Sequence, residues 1–161
     1  MIAGLKKYFK ACPLLKGGKI NIDSLGEAPA SYSIDTLSND TNIKKYADGG
    51  ELRQYGFAFR SREPIDEVGL QNLENVQFYD QLEAWIEEQN DAGNYPEPNG
   101  DIWSKCSVQR VEPLKSGYFV NSTGTTAMYE IQLRVVYYKT KCNNKSTYHA
   151  CYANNKCKNN T

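Results

Sequence analysis

Two stretches of strict alternation organise the chain. In the first, Tyr55, Phe57 and Phe59 fall on one face of an extended segment, while Gln54, Gly56, Ala58 and Arg60 fall on the other. Three large aromatics on one face predict burial against a thick layer. Gly56 and Ala58 leave the opposite face nearly flat, open to a neighbouring backbone or a partner. The Asp48-Gly49-Gly50 run just before it marks a tight reversal, since glycine reaches positive φ without steric cost. Residues 43–62 are therefore expected to form a hairpin with 43–46 as the shorter arm. In the second stretch, residues 127–139, Tyr129, Ile131, Leu133, Val135 and Tyr137 share one face. Met128, Glu130, Gln132, Arg134, Val136 and Tyr138 share the other, so one side is core and the other wetter.

Helical spacing appears twice. Ile2, Leu5, Tyr8, Phe9 and Cys12 predict an amphipathic N-terminal helix that Pro13 breaks and Gly17-Gly18 turns away. Leu70, Leu73, Gln77 and Phe78 lead into Leu82, Trp85, Ile86 and Gln89, which predicts a long helix ended by residues 90–94. Trp85 sits in register with that stripe and is read as core. Short strands are expected at 19–23 and 31–37. A further strand over 102–111 is expected to stop at Pro113, with a separate short apolar run at 117–120. The expected architecture is α+β: an antiparallel β-sheet of four to six strands, with the long helix and the N-terminal helix packed on one face. Residues 1–139 form the single domain. Residues 140–161, rich in Asn, Lys and Cys and almost without aliphatics, form a polar tail unable to offset its ordering entropy.

Charge changes this picture. The 161 residues carry 19 Lys/Arg and 19 Asp/Glu, a balance that argues against a general nucleic-acid binder. The distribution is polarised, however. Residues 1–62 hold ten bases and six acids, residues 63–101 hold eleven acids and no base, and residues 102–161 hold nine bases and two acids. Such a run is either a solvated helix face or one half of a head-to-tail contact between identical subunits. On the second reading, reversing Glu83, Glu87 and Glu88 weakens the contact, and Asp48, Arg53, Arg60 and Arg62 are candidates for the opposing or tube-facing surface. No apolar stretch is long enough to span a membrane, and the N-terminus, with lysines inside its apolar pattern, does not read as a secretory signal.

Candidate chemistry is sparse. The five cysteines are Cys12, Cys106, Cys142, Cys151 and Cys157, with the lone His149 two residues before Cys151. That spacing lacks the close pair of a structural zinc knuckle, and an odd count argues against an obligatory disulfide framework. No metal and no cofactor is expected, and in a reducing cytoplasm all five are read as free thiols. A single histidine in the weakest segment does not support a nucleophilic triad, and neither Gly-Gly pair has the context of a phosphate loop. No catalytic residue is assigned. Arg53, Arg60 and Arg62 beside Tyr55 and Phe59 would suit single-stranded nucleic acid, but the acidic block next to them disfavours that path, and no sequence-specific nucleic-acid partner is expected.

Tyr32-Ser33-Ile34-Asp35, the Asp-Gly-Gly turn, the run from Arg53 through Tyr55, Phe57 and Phe59 to Ser61-Arg62-Glu63, and Glu74-Asn75 opening a Trp-bearing helix together resemble small neck proteins of tailed bacteriophages. These are minor capsid proteins similar to the tail terminators of long-tailed, non-contractile phages. The resemblance spans residues 28–139 and includes no catalytic signature. It implies a non-enzymatic virion protein, assembled in the host bacterial cytoplasm as a homo-oligomeric ring, a hexamer. That ring would cap the tail tube protein and present a joining surface to the head connector and other neck proteins. A head-side completion (stopper) protein is the alternative within the neck. An exported binding module stabilised by the tail cysteines is the alternative outside it.

Overall fold

A computed structural model describes residues 1–15, 17–38, 41–65 and 70–141, without the side chains of residues 70–73 and 76. The expectations for the tail, its three cysteines and His149, and for the side chains of Leu70 and Leu73, lie outside the described residues. Helix α1 spans Ile2–Lys10, and strands β1 to β4 span Ile20–Ile22, Ser31–Thr36, Asn42–Lys45 and Glu51–Pro64. Helix α2 (Leu70–Asp91) follows, then β5 (Cys106–Thr123) and β6 (Thr126–Lys139). The fold is α+β, as the periodicities predict.

The six strands form one sheet in the order β1-β2-β4-β6-β5, with β3 beside the first residues of β4. All pairs are antiparallel except β1 with β2, which run parallel, so the sheet is mixed rather than purely antiparallel. The hairpin expected from the Asp-Gly-Gly turn is present. Lys45 pairs with Glu51, Gly49 adopts φ 84, and the Asp48 side chain accepts a hydrogen bond from the Gly50 amide at 2.9 Å. Strand β4 is the axis of the sheet. Its register with β6 is unbroken from Glu51↔Lys139 to Pro64↔Thr126.

The alternation of β4 and β6 sorts their residues as expected. Phe57, Phe59, Ile131, Leu133 and Val135 are fully buried on the helix-bearing face. Phe9 of α1 stacks on Phe59 at 5.0 Å between ring centroids and meets Phe57 edge-on at 5.9 Å, so one aromatic locks the N-terminal helix to the central strand. Pro13 stops α1, and a single 3₁₀ turn, Pro13–Leu15, carries buried Leu15 into the same core.

The inward row of α2 is Asn75, Tyr79, Leu82 and Ile86, at spacings of four, three and four. Phe78 and Trp85 flank that row and are only half-buried. Trp85 still packs on the core, with its ring 5.0 Å from Tyr8 and 6.1 Å from Phe9. The helix is pinned at both ends. Asn75 donates to Pro64 O at 3.0 Å, and Asn90 holds the backbone of Val111.

Strand β5 departs from expectation. It does not end at Pro113 but runs on through the 117–120 segment as one strand, with register breaks at Val108/Arg110, Pro113/Lys115, Lys115/Tyr118 and Phe119/Asn121. It lies at the edge of the sheet, where proline's missing N–H faces outward and removes no ladder bond.

Candidate functional site

The face of the sheet away from the helices carries a ladder of charge. Ser33, Arg60, Glu130 and Tyr118 are cross-strand partners along one rung through β2, β4, β6 and β5. Arg60 donates through Nε to Glu130 at 2.6 Å and through Nη1 to Asp35 at 2.5 Å. Glu130 also accepts from the Tyr118 hydroxyl at 2.7 Å and from Gln132 at 2.8 Å. Burial of Glu130 pushes its carboxyl upward, but the bonds from Tyr118, Gln132 and Arg60 outweigh it and leave the group below the usual glutamate range. The same bond to Glu130 raises the Tyr118 phenol. Beside this rung, Arg134 pairs with Glu112 and donates to Gln54 at 2.9 Å.

This ladder accounts for the flat strip at Gly56 and Ala58. Arg134 stands directly opposite Gly56, and Arg60, two positions from Ala58, reaches diagonally to Asp35. Both small residues are buried, so the space they leave is taken by arginines of the chain itself.

The three arginines considered for a subunit contact do not share a surface. Arg53 lies on the helix-bearing side near the hairpin turn, paired with Glu51 at 2.6 Å. Arg60 and Arg62 lie on the opposite face, toward the far end of β4. Arg60 is held by two carboxylates, and Arg62 donates to Gly26 O at 2.9 Å. Asp48 caps its own turn and also accepts from the Tyr138 hydroxyl at 3.4 Å.

The acidic residues do share an element. Glu87 and Glu88 are exposed on α2, whereas Glu83 is half-buried. Burial raises the Glu83 carboxyl; a hydrogen bond from the Gly117 backbone offsets part of that, and Asp80 and Glu87 add to the rise. Asp80, Ala84, Glu87 and Asp91, at spacings of four, three and four, form an exposed row on the side of α2 away from Tyr79, Leu82 and Ile86.

Missing from the sequence reading is a basic hollow at the hairpin end of the sheet. Lys45, Glu51 and Lys139 form one rung across β3, β4 and β6. With Arg53 and Lys141 they line a concavity of about 380 Å³ containing four cations and one carboxylate. Lys45 is far in sequence from Lys139 and Lys141, and the registers of β4 with β3 and with β6 unite them. Lys-Lys before the hairpin turn and Lys-Thr-Lys at the end of the longest alternating stretch are the signals that point to it.

A second groove, of about 550 Å³, runs between α1 and residues 93–98, with Trp85, Tyr95 and Pro98 in its walls. Lys7 and Glu97 in its lining form an exposed ion pair at 2.9 Å. Among the described residues no three His, Cys, Asp or Glu side chains gather in a metal-binding group, and Cys12 and Cys106 are free thiols. No described helix is long and apolar enough to cross a membrane. No protein-family model matches the chain, and no curated protein matches its sequence.

Proposed function

We propose that this protein is a structural component of a tailed-phage neck, which assembles as a homo-oligomeric ring, caps the tail tube and offers its other side to the head connector. The observation that carries the reading is where the residues of the resemblance fall. Tyr32–Asp35 lie in β2 and Arg53–Glu63 in β4, side by side in antiparallel register, and Asn75 of the third element ties α2 to the end of β4. The pattern thus occupies one contiguous framework at the middle of the sheet.

The role is mechanical. One side of the ring copies the contacts of a tube layer, and the other lacks those needed to add another. The virion neck is the proposed location, and the partners are the tube protein, the neck proteins and further copies of this chain. The test is negative-stain imaging of the purified protein, alone and mixed with tail tubes. Rings that decorate a single end of the tube and arrest its growth are expected. Binding to head connectors with no affinity for tube ends would move the protein to the stopper position. Absence of both would overturn a neck role.

A further inference from the structure

Two charged surfaces carry side chains that form no ion pair among the described residues. Asp80, Glu83, Glu87, Glu88 and Asp91 make no ion pair among the described residues. Three of these acids fall in the last turns of α2, where the helix macrodipole disfavours negative charge and no base is present. Glu83–Glu87 and Glu87–Asp91 add like-charge pairs at i, i+4. The helix therefore carries a standing electrostatic cost that no ion pair among the described residues relieves.

The hairpin hollow has the opposite sign. Its one carboxylate, Glu51, is engaged by Arg53 at 2.6 Å, and Asp48 nearby is engaged by the Gly50 amide. Lys45, Lys139 and Lys141 make no ion pair among the described residues. Lys45 and Lys139 stand on either side of β4, two interstrand spacings or about 10 Å apart, which is close to the diameter of an α-helix. The exposed row from Asp80 to Asp91 is about 16 Å long, and Ala84 within it permits close approach.

We propose that the hollow lined by Lys45, Lys139 and Lys141 receives the acidic outer face of α2 from a second copy of this chain. Both surfaces sit on rigid elements of one domain, α2 packed on β5 and the hollow at the end of β4 and β6, so neither reaches the other within a molecule. A contact between two different patches is heterologous, and each added copy leaves one patch open at either end until the assembly closes. The proposal rests on the ring reading and supplies its subunit contact.

The experiment compares three proteins by light scattering and sedimentation at low and high ionic strength. They are the parent, the helix variant Glu87→Lys/Glu88→Lys/Asp91→Lys, and the hollow variant Lys45→Glu/Lys139→Glu/Lys141→Glu. Circular dichroism checks that each is folded, and neutral versions (Glu87→Gln/Glu88→Gln/Asp91→Asn) stand in for any that is not. The parent self-associates at low ionic strength and weakens as salt screens the contact. Each reversal alone weakens association by more than about tenfold, since like charges then meet. Mixing the two reversed proteins restores it. A parent that stays monomeric at low salt overturns the proposal, as do assemblies that both reversals leave unchanged. So does a hollow variant that loses binding to duplex DNA while self-associating like the parent. Rings insensitive to the reversals remove this contact but leave the cap, whereas a charge-swappable assembly blind to tube ends removes the cap but leaves the contact.

Discussion

Asn90 clasps Val111 with both ends of its amide: Nδ2 donates to Val111 O at 2.7 Å and Oδ1 accepts from Val111 N at 3.0 Å. One side chain at the end of α2 thereby satisfies both polar backbone groups of a residue just past the first register break of β5. Replacing Asn90 with Ala strands a donor and an acceptor at a buried position, a loss of about 2–3 kcal/mol. Urea denaturation of Asn90→Ala against the parent measures it. A cost near zero would mean that water replaces the amide.

Phe57 and Trp85 both belong to the aromatic core, but not equally. Phe57 is fully buried against Phe9, whereas part of the Trp85 indole faces the groove beside α1. Phe57→Ala is expected to lose about 3–5 kcal/mol, and Trp85→Ala about 1–2 kcal/mol. Thermal midpoints decide the order, with the Phe57 variant falling by about 10 °C or more. Equal losses would show that the indole is as enclosed as the phenyl ring.

Glu130 ties stability to pH. Its folded-state pKa is lowered, so its contribution is fully present above the unfolded value of about 4.3 and is lost as pH falls through the folded value. Glu130→Gln removes that dependence and one of the two carboxylates that hold Arg60. The stability gap between parent and variant is expected to be constant above about pH 4.3 and to close below it. Chemical denaturation at a series of pH values reads the gap. A gap that persists unchanged into acid would assign the loss to packing rather than charge.

The elements that sequence made legible are those whose pattern is local. The turn at Asp48-Gly49-Gly50, the alternation of β4 and β6 and the helical spacing of α2 each need only a dozen neighbouring residues. What escaped depends on register between distant strands. Nothing near Arg60 in sequence announces Asp35 and Glu130 as its partners; pairing of β4 with β2 on one side and β6 on the other makes the rung. The lysine hollow follows likewise from the pairing of β4 with β3 and with β6. Pro113 misleads for a related reason: a proline ends a central strand but not an outer one, and a strand's place in the sheet is not written in its own residues.

That outer strand has one more effect. An outer strand of eighteen residues would ordinarily invite a second chain to add to the sheet, the first step toward fibres. The register breaks of β5 leave no uninterrupted paired run longer than the four residues from Arg110 to Pro113, and the last of these has no amide hydrogen to offer. Newly made copies crowded together are thus denied backbone zippering along this border. In the proposed ring, joining through side chains would stay reversible, so that a misplaced copy could leave and be replaced.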